Sequence, residues 1–286
     1  MTDATLAAIH VHPVKSCRST ALAEVVVAET GLADDRLYQV VDASGTPITQ
    51  RQHRVLATVQ PTVLADGLRI EAEGSDPIEV ARPTQNDRQV TNLLGLPVEV
   101  GDAGDEAAAW FGALLGEPAR LVAMTDQTEL VVPGFEFRTS LADAAPVLVA
   151  NEASATWLSD RASEPFGIDR FRPNLTVTGA AAWDEETWRA FTVGGAELGL
   201  GLAWPRCAIP QIDQQTAERH KEPAKVLREH RWCGEGTVGD PVLADILEGN
   251  GLFGIACTIA VPGTVVRVGD PVVVTERGEP ILPPPS

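Results

Sequence analysis

The first hundred residues alternate hydrophobic and polar positions in short runs, and turn-forming residues close each run. A period of two predicts half-buried β-strands. The run at 36–41, for example, ends at Asp42, Ser44 and Gly45, which are typical turn residues. Predicted strands lie at 6–14, 21–28, 36–41, 55–64, 68–73, 78–81 and 97–100. Many short strands at regular spacing indicate an all-β barrel or sandwich in this part of the chain.

A helical period first appears near residue 105. Trp110 and Leu114 lie on the apolar face of a predicted helix at 105–115, and Gly116 suits its C-terminal end. The other predicted elements are helices from 151 to about 162 and from 223 to 230, strands at 121–124, at 145–150, around 177 and at 252–261, and hairpins that join 191–193 to 196–203 and 265–268 to 272–275.

These elements predict an α+β fold that is mostly β. The 286 residues suffice for about two domains. We expect a β-rich N-terminal domain at 1–124 and a second, mostly β domain with a few helices at 125–278. The Pro-rich end of the chain, at 279–286, is expected to be disordered.

The net charge of −18 makes general binding to nucleic acid or to anionic membrane surfaces unfavourable. No apolar run reaches the roughly 20 residues that span a bilayer, and the N-terminus lacks the pattern of a secretory signal. The four cysteines are widely scattered, which favours reduced thiols and a cytoplasmic protein. Against this acidic background, two groups of basic residues stand out, namely Lys15, Arg36, Arg51 and Arg54, and Arg170, Arg172 and Arg206.

One cysteine occupies an unusual segment. Cys207 lies between Pro205 and Pro210, and each proline fixes its own φ angle and lacks a backbone donor. The segment is therefore predicted to be a stiff turn at the end of a strand. The neighbouring Arg206 favours a reactive thiolate, but most free cysteines are small buried hydrophobes. The local sequence leaves both interpretations open.

Two other groups of residues resemble metal sites. His10 and His12 share one face of a predicted strand, and His220, His230 and Cys233 follow one another at loose spacing. A solvated strand face is the simpler interpretation of the first group, and the spacing of the second is too loose for a typical zinc site.

Seven short motifs follow one another along nearly the whole chain. They are His12-Pro13-Val14-Lys15-Ser16-Cys17, Asp35-Arg36-Leu37-Tyr38, Thr49-Gln50-Arg51-Gln52, Phe171-Arg172-Pro173-Asn174-Leu175, Arg206-Cys207 followed by Asp213, Leu252-Phe253-Gly254, and Val268-Gly269-Asp270-Pro271-Val272. Each motif is weak alone, but the ordered set resembles the MOSC-domain proteins that have an N-terminal MOSC β-barrel domain. Within that family it resembles the YcbX type and the mitochondrial amidoxime-reducing component.

The resemblance implies that a β-barrel-like N-terminal domain packs on a MOSC domain that contains a β-barrel. It also implies a molybdenum cofactor, a pterin dithiolene that carries the metal and ends in a phosphate. Cys207 would then be the catalytic residue and the thiolate ligand of molybdenum, a soft ligand that suits this metal. The positions that would bind the rest of the cofactor are Lys15, Ser16, Arg36, Arg51, Asp143, Arg172, Asn174, Arg206 and Asp213.

The implied activity is reduction of N-hydroxylated compounds such as amidoximes, hydroxylamines and N-hydroxylated bases. Electrons would come from a separate ferredoxin, flavoprotein or b-type cytochrome system. Two departures from the family pattern bear on activity, because Ala144 and Ala145 replace hydroxyl residues and Pro210 and Gln211 replace threonines. Two alternatives therefore stay open, a sulfur carrier that uses a persulfide on Cys207 and a cofactor-binding module without catalysis.

Overall fold

The computed structural model describes residues 4–84, 87–93, 95–131, 137–142 and 145–285. Strands dominate these residues. The strands are β1 Thr5–Val11, β2 Thr20–Leu22, β3 Glu24–Ala28, β4 Gly31–Leu32, β5 Tyr38–Val41, β6 Gln60–Leu64, β7 Gly67–Ala72, β8 Ser75–Ala81, β9 Arg88–Leu93, β10 Leu96–Asp102, β11 Arg120–Ala123, β12 Val147–Asn151, β13 Leu175–Thr178, β14 Trp188–Val193, β15 Ala196–Pro205, β16 Trp232–Cys233, β17 Asn250–Ile259, β18 Val265–Arg267 and β19 Val272–Arg277. The helices are α1 Asp105–Leu115, α2 Glu152–Ser159, α3 Ala224–His230 and α4 Pro241–Leu247.

The predicted α+β, mostly β class is confirmed, and its largest sheet joins both ends of the chain. Within the described ranges the strand order of this sheet is β19-β14-β15-β17-β12-β13-β1-β2. The N-terminal β1 lies antiparallel to β13, with Ile9 opposite Leu175, and both side chains are buried in one apolar core. The first residues of the chain therefore extend the sheet that the second half forms.

The first half adds two smaller sheets, β5-β11-β10-β9 and β6-β7-β8, which share a core with α1. The helix matches its predicted bounds. Phe111 and Leu115 are buried on its inner face, and Gly116 ends it with a φ of 74°. Helices commonly end at a residue with a left-handed backbone conformation, and glycine adopts this conformation at little steric cost.

Local pattern was insufficient in several places. The predicted hairpin of 265–268 with 272–275 is wrong, because β18 pairs with β3 and β19 pairs with β14. Residues Arg54–Thr58 form a 3-10 turn that overlaps the start of the strand predicted at 55–64. Strand β9 and helix α4 were not predicted.

The chain end at 279–285 also differs from expectation, because it packs against the protein. Leu282 is buried beside β15 and β17 residues, and the carbonyl of Pro283 accepts a hydrogen bond from Arg231 Nη1 at 2.9 Å. Of the helices that the structure describes, none is long and apolar enough to cross a membrane.

Candidate functional site

A cleft lined by residues from both halves of the chain contains most of the predicted site residues. It encloses about 750 Å³ of empty space, part of which is open to solvent. Its lining residues are Lys15, Ser16, Arg36, Thr49, Arg51, Ala142, Ala145, Val147, Leu148, Phe171, Arg172, Asn174, Trp204, Arg206, Cys207, Ile209 and Ala256.

The lining of this cleft is strongly basic. It contains the cationic side chains of Lys15, Arg36, Arg51, Arg172 and Arg206, and the described lining residues include no aspartate or glutamate. The chain as a whole carries a net charge of −18. Clefts lined by one sign of charge concentrate ligands of the opposite sign, so this cleft is built to attract an anion.

Arg36 is held in place by partners behind the cleft wall. Its Nη1 donates to Asp35 Oδ2 at 2.5 Å and to Asn174 Oδ1 at 3.1 Å. Asp35 is fully buried and accepts a further hydrogen bond from the backbone N–H of His12 at 2.7 Å. Burial raises the pKa of Asp35, but Arg36 and His12 outweigh burial and lower it to about 2. Asp35 is therefore an ionised support for Arg36.

Arg172 lies deeper than Arg36. Its Nη1 donates to Gln214 Oε1 at 2.8 Å and its Nη2 donates to the carbonyl of Cys17 at 2.7 Å. Burial, and then the charge of Arg36, lower the pKa of Arg172 to about 9, so the guanidinium remains charged at neutral pH. The charges of Arg36 and Arg172 thus disfavour each other, and an anion beside them stabilises both.

A buried pair of glutamines connects the two halves of the chain beneath the cleft. Gln50 Nε2 donates to Gln214 Oε1 at 3.0 Å and to the carbonyl of Ser16 at 2.7 Å. Gln214 Nε2 donates back to Gln50 Oε1 at 3.1 Å. Sequence reasoning missed Gln214, His12 and Asp35 as supporting residues. His12, Asp35 and Gln50 lie inside three of the quoted motifs, and that is the one signal that points to them.

Three cleft residues have a backbone conformation that side chains rarely adopt. Ser16, Arg36 and Arg172 have φ angles of 68°, 51° and 55°. A non-glycine residue in this region is uncommon, and each such residue costs on the order of 1 kcal/mol or more, a cost often found at binding sites. The positive φ angles turn these residues so that they line the same cleft.

Cys207 lies between the end of β15 and a 3-10 turn at Ile209–Gln211, as the proline-flanked segment predicts. Its side chain is exposed, whereas the other three cysteines are buried. Burial raises the pKa of Cys17 to about 12 and also raises the pKa of Cys233 and Cys257. The Sγ atom of Cys207 accepts one hydrogen bond, from the backbone N–H of Ile209 at 3.5 Å. Cys207 is thus the cysteine that is open to a ligand.

Some predicted residues have other positions or roles. Asp213 is absent from the cleft lining and pairs with Arg170 at 2.8 Å. The side-chain amide of Asn174 lines the cleft but bonds Arg36, the N–H of Leu148 and the carbonyl of His10. Asp143 and Ala144 lie outside the described residues.

The residues that resembled metal sites do not form one. His220 Nδ1 lies 2.9 Å from Glu164 Oε2, and Cys233 is buried. His12 bonds Asp35 and is buried rather than solvated, and burial holds its pKa well below the ordinary value. In the part of the chain that the structure describes, no cluster of three or more His, Cys, Asp or Glu side chains could hold a metal ion.

Two family matches divide the chain in order. Residues 3–118 match the family described as MOSC N-terminal beta barrel domain, and residues 136–273 match the family described as MOSC domain.

Three relatives show how far this similarity extends. Mitochondrial amidoxime reducing component 2 of Rattus norvegicus is 31% identical over 285 residues, which cover 94% of this chain and 82% of the relative. Mitochondrial amidoxime-reducing component 1 of Homo sapiens is 29% identical, with the same two coverages of 94% and 82%. Molybdenum cofactor sulfurase of Danio rerio is 28% identical over 82% of this chain, and the match covers 31% of that protein.

Proposed function

The chain belongs to the family that combines a MOSC N-terminal β-barrel domain with a MOSC domain, and on this premise we propose that it binds a molybdenum cofactor and reduces N-hydroxylated compounds. One observation carries the proposal, the meeting of five cationic side chains and the exposed Cys207 thiol in one cleft. The names of the relatives associate related chains with amidoxime reduction and with the molybdenum cofactor.

The donor set fits this cofactor. Arginine and lysine bind a terminal phosphate through charge-assisted hydrogen bonds, and the exposed thiol provides a soft ligand for a metal that dithiolene sulfurs already hold. The described lining residues carry five cationic side chains and no aspartate or glutamate. Asp35, behind the cleft wall, balances part of this charge at Arg36, and an anionic ligand would balance more of it. The amide of Asn174 is already bonded to protein groups, and we therefore assign it to positioning Arg36 rather than to the pterin.

Each group of residues has a separate task in this proposal. Lys15, Arg36 and Arg172 hold the phosphate, and Cys207 provides the thiolate. When bound, the cofactor supplies two-electron redox chemistry. The overall reaction takes an N-hydroxyl compound, two electrons and two protons to the corresponding amine or amidine and one water. The proposal includes one redox group, the cofactor, and this group must be reduced again after each turnover. The electrons therefore come from a separate redox protein.

Pro210 and Gln211 closely follow Cys207 in the chain, and Ala144 lies outside the described residues. Ala145 lines the cleft, where a hydroxyl would offer one more hydrogen bond. Pro210 is buried, and the Oε1 of Gln211 accepts two hydrogen bonds from Arg219. We therefore expect the departures to change the substrate range more than cofactor affinity.

The test is anaerobic reduction of benzamidoxime by cofactor-loaded protein with a chemical electron donor. We expect turnover by the wild type and by Cys257→Ala, a control that removes a buried thiol from the core. Cys207→Ala should reduce turnover to background at similar protein stability. A loaded wild type that reduces none of several N-hydroxylated compounds would contradict the proposed reaction.

A sulfur carrier is the second candidate, because Cys207 is exposed and one relative is a molybdenum cofactor sulfurase. Mass spectrometry decides between the two candidates. A labile extra sulfur on Cys207 in protein that binds no molybdenum would favour the carrier. Bound cofactor without turnover would instead favour a binding module that has no catalytic role.

A further inference from the structure

Three consecutive residues fasten the segment that bears Cys207. The carbonyl of Phe171 accepts a hydrogen bond from Arg206 Nη2 at 2.6 Å, just before the cysteine. Arg172 donates to Gln214, after the cysteine. Arg170 contacts the turn that lies between Arg206 and Gln214. The Phe171 ring stacks on the Phe253 ring, with 3.8 Å between their centroids. Residues 170–172 are therefore themselves anchored to β17.

Arg170 spans the turn with both arms of its guanidinium. Nη1 donates to the carbonyl of Pro210 at 3.4 Å and Nη2 donates to Asp213 Oδ2 at 2.8 Å. Asp213 Oδ1 in turn accepts the backbone N–H groups of Gln215 at 2.8 Å and Thr216 at 3.0 Å. The Arg170 side chain is 8% exposed, so water competes little for these bonds.

Cys207 itself has little that fixes it. Its side chain is exposed and its sulfur accepts one long hydrogen bond, from Ile209. The backbone of the following turn therefore determines where the sulfur lies, and Arg170 holds that turn at Pro210. We propose that Arg170, together with Asp213, is a positioning residue that orients the Cys207 sulfur towards the ligand of the cleft. This inference rests on the proposed function and assigns Asp213 a role that its sequence motif did not reveal.

Arginine is required here because of its shape as well as its charge. A guanidinium presents several donors in a fixed fork, whereas a lysine ammonium is a single point charge. Arg170→Lys therefore keeps the charge beside Asp213 but loses the fixed fork whose two nitrogens reach Pro210 and Asp213. Asp213→Asn is a second, more exposed variant that keeps the acceptor for Gln215 and Thr216 and removes the charge.

The experiment uses the cofactor-loaded 286-residue chain. Wild type, Arg170→Lys, Asp213→Asn and the control Arg161→Lys are compared for molybdenum and pterin content and for the rate at which iodoacetamide alkylates Cys207. Arg161 also bonds a backbone carbonyl and lies over an aromatic ring, but it is not among the described residues that line the cleft. X-ray absorption at molybdenum gives the number of sulfur ligands in each sample.

We expect both test variants to retain at least half of the wild-type cofactor, because the cleft cations are unchanged. Cys207 should be alkylated at least tenfold faster than in the wild type, with one sulfur ligand fewer at the metal, and Arg161→Lys should behave as wild type. Full cofactor content with unchanged protection of Cys207 in both test variants would overturn this inference and leave the proposed function standing. A wild type without molybdenum and pterin would overturn both.

Discussion

Replacing Asp35 with asparagine tests whether a buried carboxylate supports the basic cleft. Asp35 is fully buried, and its two oxygens bond Arg36 Nη1 and the N–H of His12. Asparagine has the same shape and keeps an acceptor for His12, but it removes the negative charge beside Arg36. The variant therefore keeps the packing and removes the charge together with the hydrogen bond that Asp35 accepts from Arg36.

The expected magnitude follows from the pKa of Asp35. Its value of about 2 in the fold lies below the ordinary value of 3.8, and each unit corresponds to about 1.4 kcal/mol. The ionised carboxylate thus stabilises the fold by about 2 kcal/mol above pH 4. Because the folded pKa is the lower one, this contribution is lost as the pH falls from about 4 towards 2.

Urea denaturation at pH 7 and pH 3 measures this effect. We expect Asp35→Asn to lower the free energy of unfolding by about 2 kcal/mol at pH 7 and by roughly 1 kcal/mol at pH 3. Asp245→Asn, which removes an exposed carboxylate on α4, should change it by less than about 0.5 kcal/mol. A loss that is the same at both pH values, or no loss at pH 7, would refute the assignment of Asp35 as an ionised support.

Three further predictions use other parts of the protein. Burial, and then the neighbouring Glu186, raise the pKa of Glu185 to about 7 from 4.5, so the fold loses stability as the pH rises through that interval. Relative to the wild type, Glu185→Gln should therefore raise the free energy of unfolding by about 2 kcal/mol more at pH 8 than at pH 5. An equal effect at both pH values would contradict this. Iodoacetamide should label Cys207 alone in the native, cofactor-free protein and all four cysteines after denaturation, as read by mass spectrometry; early labelling of a second cysteine would contradict the burial of the others. Pyrophosphate should raise the Tm of the cofactor-free wild type more than sodium chloride of equal ionic strength does, and this difference should shrink in Arg36→Gln but not in Arg161→Gln.

Periodicity and turn residues correctly predicted those elements whose bounds depend on neighbouring residues in the chain. Helix α1 matches its predicted bounds because Gly116 and the apolar face both lie within or beside it. The pairing of β18 with β3 places Val265 opposite Val26, and no turn or periodicity near either residue encodes such a distant partner. The predicted hairpin therefore failed where strand pairing is set by the whole fold.

The same limit applies to the site, where local motifs predicted residues but not the contacts between distant segments. Cations such as Arg36 and Arg172 were found because they lie in ordered motifs on an acidic chain. Their positive φ angles and the link from Arg172 to Gln214 depend on packing between segments far apart in sequence. Asp213 was assigned to the cofactor from its motif, whereas its side chain bonds Arg170 and the N–H groups of Gln215 and Thr216. The division of the chain at residue 124 stays a proposal.

The central claim is that the basic cleft holds a molybdenum cofactor, and its most direct test is the molybdenum and pterin content of protein loaded with that cofactor. Lys15→Gln combined with Arg36→Gln removes two charge-assisted contacts, each of about 1.5–3 kcal/mol, and should weaken binding at least about a hundredfold. We predict equimolar molybdenum and pterin in the wild type and almost none in the double variant. A wild type that contains neither, or a folded double variant that is loaded as fully as the wild type, would contradict the claim.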